Sequence, residues 1–61
     1  MIASLSDIID TSRDILSFCY QTGMSVEDAG SLVEKQMDGT QPVDLIERAV
    51  ARAREIRAEA K

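Results

Sequence analysis

Few side chains in this 61-residue sequence have the type and spacing that catalysis or metal binding requires. Two carboxylate pairs, Asp10 with Asp14 and Glu55 with Glu59, stand four residues apart. A helix would place each pair on one face, as an acid–base or metal site requires. Cys19 is the single thiol, and the sequence contains no histidine to serve as its general base.

The surroundings of these groups favour ordinary structural roles. Both carboxylate pairs fall on polar faces of their segments, where solvated surface charge is the better interpretation. Cys19 falls on an apolar face, which predicts a buried, inert thiol, with a redox-active or dimer-forming thiol as the alternative. Since histidine is absent and the three glycines are dispersed, we expect no metal, no cofactor and no enzymatic activity.

Three amphipathic segments must position these residues. The strongest breaks in the helical pattern are Gly23 and the stretch 39–42, which contains glycine and proline. They leave three helices, at about 4–22, 26–38 and 42–60. The sequence therefore predicts an all-α protein in which residues 1–61 form one domain, a compact three-helix bundle.

Local signals support these boundaries. Ser4 and Ser25 are expected to cap the first two helices, and Gly23 suits the left-handed position just after a helix. Pro42 suits the first turn of the third helix, where its missing N–H has no partner to lose. Gly30 lies at the edge of the second apolar stripe, so its missing side chain would let another helix approach.

The apolar positions at helical spacing predict the faces that pack together. In the first helix these are Leu5, Ile8, Ile9, Ile15, Leu16, Cys19 and Tyr20. In the second they are Val26, Ala29, Leu32, Val33 and Met37. In the third they are Val43, Leu45, Ile46, Ala49, Val50, Ala53, Ile56 and Ala60.

The charge is acidic overall but unevenly distributed. The net charge is −4, with two bases against nine acids in residues 1–47 and five bases against two acids in residues 48–61. This polarity either steers a partner or complements the helix dipoles. Nucleic acid is the least favoured partner, because the arginines of the third helix scatter around it and the acidic remainder repels phosphate.

A core this small usually needs a disulfide, a metal ion or a partner to be stable. One cysteine excludes an internal disulfide. The remaining expectation is a partner, either another protein or a second copy in a homodimer. The sequence also predicts no membrane-spanning segment and no signal peptide, so a cytoplasmic location is expected.

Five residues are the candidates for partner contact. Phe18 falls off the apolar stripe beside Asp14, so it either packs locally in the last turn or anchors a partner. Ile56 extends past the densest apolar positions of the third helix and could pair with a second copy. In that pairing Arg52 or Arg57 would face glutamates of an antiparallel partner helix.

Three functional classes are compatible with these observations. The first is a small acidic, protein-binding regulator or inhibitor that acts through helix-mediated contacts. The second is a structural or assembly subunit, or a homodimerisation module. The third, which the charge pattern favours least, is a nucleic-acid-binding regulator.

Overall fold

The computed structural model describes residues 2–37 and 39–60. This part of the chain contains three α-helices, α1 (Leu5–Thr22), α2 (Val26–Gln36) and α3 (Leu45–Glu59), and no strand. Each helix packs against the other two. The prediction of an all-α three-helix bundle is confirmed.

The ends of α1 and the start of α2 follow the local signals. The Ser4 hydroxyl accepts a hydrogen bond from the Asp7 N–H at 3.2 Å, which caps α1. Gly23 has φ of 77°, a left-handed conformation, and its N–H donates to the Cys19 carbonyl at 2.8 Å. The Ser25 hydroxyl accepts from the Asp28 N–H at 3.1 Å and caps α2.

The second helix is shorter than the predicted range of 26–38. It ends at Gln36, because Met37 already has an extended backbone with ψ of 156°. The predicted last residue, Asp38, lies outside the described residues. Gly39, within the connection to α3, has φ of 86°, a left-handed conformation that glycine adopts readily.

The predicted start of the third helix at Pro42 is wrong. Pro42 belongs instead to the turn before α3, and the Pro42 carbonyl accepts a hydrogen bond from the Leu45 N–H at 3.1 Å. Asp44 is the cap residue of α3, but its carboxylate does not bond the helix N-terminus. It accepts the Ala3 N–H at 3.0 Å and pairs with Arg48, whose Nε lies 2.6 Å away. The residue that precedes α3 is therefore held by a contact with the N-terminal segment of the chain.

The pKa of Asp44 lies below its ordinary value. Partial burial is the largest single influence and raises this pKa, but the hydrogen bonds from the Ala3 amide, from its own amide and from Arg48 together outweigh it. A lowered folded-state pKa means that the ionised carboxylate stabilises the fold above the ordinary value of 3.8, and that this stabilisation is lost as the pH falls through the folded pKa.

We therefore expect Asp44→Asn to reduce stability at neutral pH and much less in acid. Asparagine keeps an acceptor for the Ala3 N–H but loses the charge that faces Arg48. Urea unfolding of both proteins, from neutral pH to below 3.8, measures the difference. A difference that stays constant over that range would show that the Asp44 charge does not stabilise the fold.

The core lies where the three helices meet. Its buried residues are Ile15, Leu16, Cys19, Val26, Ala29, Val33, Ala49 and Ala53. Three of these are alanines without exposed surface, so the helices approach closely. Gly30 is buried as well, and a β-carbon built there would lie 2.5 Å from Val50 Cγ2. The prediction that Gly30 admits another helix is confirmed.

Several predicted core positions are exposed instead. Leu5 and Tyr20 on α1 are each 66% exposed, and Val43 in the turn before α3 is 96% exposed. Conversely, Thr11 and Ser12 of α1 are buried. The Ser12 hydroxyl is satisfied within the helix, where it donates to the Ile9 carbonyl at 2.8 Å. The buried face of α1 is therefore rotated away from Tyr20 relative to the apolar stripe of the sequence.

Candidate functional site

A groove of about 490 Å³ opens where the end of α1, the start of α2 and the second half of α3 meet. Its apolar lining consists of Tyr20, Val26, Ala58 and Ala60. Its polar lining consists of Ser25, Glu27, Arg54 and Arg57. This surface, called here the Tyr20 groove, draws on all three helices and therefore exists only in the folded bundle.

The apolar part of the Tyr20 groove combines a fixed floor with an accessible aromatic ring. Val26 is buried against the core, and Ala58 and Ala60 add small side chains beside it. Tyr20 lies two residues before the end of α1 and exposes most of its surface. An exposed tyrosine offers a large apolar area together with one hydroxyl group, which is the chemistry of a contact residue.

Two arginines of α3 give this groove its charge. Arg54 forms an ion pair with Glu27 in the first turn of α2, and this bond joins the two helices across the groove. The hydrogen bond from Arg54 lowers the pKa of Glu27, and the positive charge of Arg57 lowers it further. Arg57 belongs to neither of the two ion pairs found among the described residues.

The two arginines that the sequence predicts for partner contact lie on different surfaces of the structure. Arg57 lines the Tyr20 groove, whereas Arg52 is exposed outside it. Five residues along an α-helix correspond to a rotation of about 140°, so the two side chains leave α3 on different sides. Ile56, which was also predicted to contact a partner, is half-buried and packs against the core of its own bundle.

Phe18 and Asp14 lie together in a second, smaller groove of about 280 Å³ between α1 and α2. Phe18 is half-buried and packs against the core, as its local-packing interpretation predicts. Val33 of α2 lines the same groove. Asp14 is exposed at its edge. Phe18 is therefore part of the packing between α1 and α2, and its exposed remainder is modest compared with that of Tyr20.

Tyr20 is an exposed aromatic residue that the sequence pattern did not predict as a candidate for partner contact. Its position on the edge of the apolar stripe indicated burial, and only the placement of α2 and α3 leaves it uncovered. One signal was available, because Tyr20 stands three residues before the helix-ending Gly23, where a neighbouring helix has little length left to cover it. A polar-tipped aromatic at such a position is typical of a half-exposed surface.

The groups considered for catalysis lie apart from the Tyr20 groove. Asp10, Asp14, Glu55 and Glu59 are all exposed, and Cys19 is a free, buried thiol. Over residues 2–37 and 39–60, no cluster of three or more potential metal-ligating side chains occurs. The Tyr20 groove itself offers ionic, hydrogen-bonding and apolar contacts, which is the chemistry of binding.

No helix within the described part of the chain is both long and apolar enough to cross a membrane. Comparisons of the chain with models of protein families, with curated proteins and with solved structures find no match.

Proposed function

We propose that this chain is a small protein-binding regulator or inhibitor that acts through helix-mediated contacts with another protein. The observation that carries this proposal is the composition of the Tyr20 groove. Tyrosine and arginine are enriched at the energetically important positions of protein interfaces, and the buried centre of an interface is more apolar than its rim. Tyr20, Arg54 and Arg57 surround an apolar centre.

Further exposed apolar side chains support the proposal. Ile2, Leu5 and Val43 each expose well over half of their surface. The hydrogen bond from the Ala3 N–H to Asp44 holds the segments that carry them side by side. Apolar side chains grouped on a surface are typical of interaction sites, whereas single exposed ones need no explanation.

A homodimerisation module is the second candidate, and the same three aliphatic side chains favour it. The apolar seam of α3 is largely committed to the bundle, because Ala49 and Ala53 are fully buried and Ile56 packs against the core. A dimer would therefore use the surface beside Ala3 and Asp44 rather than the seam of α3. We also propose a cytoplasmic location, since a free thiol such as Cys19 fits a reducing compartment.

Native mass spectrometry tests the proposed function. We expect the chain, purified alone and then mixed with extract of its source cells, to shift from its own mass to that of a complex with one other polypeptide. A mass of two chains would support the homodimer instead. A mass of one chain under both conditions, at the concentration found in the cell, would contradict both candidates.

A further inference from the structure

We infer that the Tyr20 groove binds a partner segment that presents acidic side chains next to an apolar one. This inference rests on the proposed function and adds the chemistry of the occupant. It commits to an acidic protein segment because the groove has both a cationic rim and an apolar floor. The apolar floor and the cationic rim each require a different kind of side chain from the partner.

The apolar floor requires an aliphatic or aromatic side chain from the partner. Val26 and Ala58 are small, so they leave room above them, and the exposed ring of Tyr20 forms a wall beside that room. Apolar area removed from water on binding contributes roughly 25 cal/mol per Å². A partner segment with only charged side chains would leave this apolar area in contact with water, and binding would lose that free-energy contribution.

The rim requires a carboxylate. Arg54 is already held by Glu27, whereas Arg57 stands outside the ion pairs of the described residues and is exposed. An arginine presents its N–H donors in a planar fork that matches a carboxylate in two parallel hydrogen bonds.

The acidic remainder of the chain limits what else the groove can accept. Residues 1–47 carry nine acids against two bases, so a nucleic acid strand would meet repulsion over most of its length. A short acidic segment meets the cationic rim directly. Exposed charges more than about 8 Å away are largely screened at physiological ionic strength.

A pair of designed peptides tests the inference. Both are capped amphipathic helices without aromatic residues and with the same leucine face; one carries glutamate on its polar face and the other carries lysine. The chain has one tyrosine and no tryptophan, so its intrinsic emission reports on Tyr20 alone. We expect the glutamate peptide to change this emission and to bind at least ten-fold more tightly than the lysine peptide.

Two charge-reversal variants locate the contact. Arg57→Glu changes a residue inside the Tyr20 groove, and Arg52→Glu makes the same change in net charge on the same helix outside it. Both arginines are exposed, so both variants should keep their helical circular dichroism. We expect Arg57→Glu to lower the affinity for the glutamate peptide by about ten-fold. We expect Arg52→Glu to leave this affinity within about two-fold of that of the unchanged chain.

Three outcomes would overturn the inference: no binding of the glutamate peptide, equal binding of both peptides, or equal effects of the two variants. These outcomes are distinct from failure of the proposed function. If native mass spectrometry finds a protein partner whose binding is unaffected by Arg57→Glu, the function stands and its site lies elsewhere on the bundle.

Discussion

Replacing Ile15 by alanine is expected to lower the free energy of unfolding by about 2–5 kcal/mol, the usual cost of truncating a large buried aliphatic side chain. Ile15 has no exposed surface and lies in the core cluster that joins the three helices. Its Cδ1 also lies 3.9 Å from the position a β-carbon of Gly30 would occupy, so it packs directly against α2. Because Ile15 is packed within the core cluster and against α2, the neighbouring side chains have little freedom to move into the cavity that its truncation leaves.

The size of the domain makes this loss severe. Domains of about 60 residues bury a smaller share of their unfolded surface than larger domains do, and they have little stability to lose. We expect Ile15→Ala to be largely unfolded at room temperature by circular dichroism. The milder Ile15→Val, which removes one methylene group, should cost about 0.5–1.5 kcal/mol and still give a measurable urea transition.

Leu5→Ala provides a matched control on the same helix. Leucine and isoleucine are isomers, but Leu5 is mostly exposed in the first turn of α1. Its truncation should change stability by no more than about 0.5 kcal/mol. If Leu5→Ala costs as much as Ile15→Ala, Leu5 is buried and α1 packs along the apolar stripe of the sequence.

The parts of the fold that the sequence predicts correctly depend on local interactions. The caps at Ser4 and Ser25 and the left-handed Gly23 act within four residues of the helix ends, so their signals are contained in the neighbouring sequence. The start of α3 depends instead on Asp44, whose carboxylate bonds the Ala3 amide 41 residues away. A contact of that kind leaves no trace in the local pattern, and the range 42–60 was wrong at its start for this reason.

The candidate site was less predictable than the fold. Helical periodicity gives the direction in which a side chain leaves its helix, but it does not show whether another helix covers that side chain. Phe18 and Tyr20 lie on opposite edges of the buried face of α1. The first lies off the apolar stripe and is nevertheless packed against the core, while the second lies on the stripe and is left exposed. The difference arises from where α2 and α3 pass over the end of α1, which no single helix determines. Arg57 was predicted as a contact residue because it could face glutamates of a second copy, and the residues beside it in the groove were not predicted.

Gly30 is the position where the approach of two helices is most sharply defined. A β-carbon at this position would lie 2.5 Å from Val50 Cγ2, far inside normal contact distance. Valine in a helix strongly prefers one side-chain rotamer, so Val50 cannot easily turn aside. Overpacking of this kind typically costs about 1–3 kcal/mol, while the higher helix propensity of alanine returns about 0.5–1 kcal/mol. We expect Gly30→Ala to destabilise the bundle by a net of about 0–2.5 kcal/mol.

A double-mutant cycle with Val50→Ala separates these two contributions. Removing Val50 Cγ2 removes the atom that the new β-carbon would strike, so Gly30→Ala in that background should be neutral or stabilising. The coupling between the two changes should therefore be about 1–3 kcal/mol, measured from the urea unfolding of the four proteins. Additive effects, within about 0.5 kcal/mol, would mean that α2 and α3 separate freely at this point and that the close approach at Gly30 does not hold the bundle together.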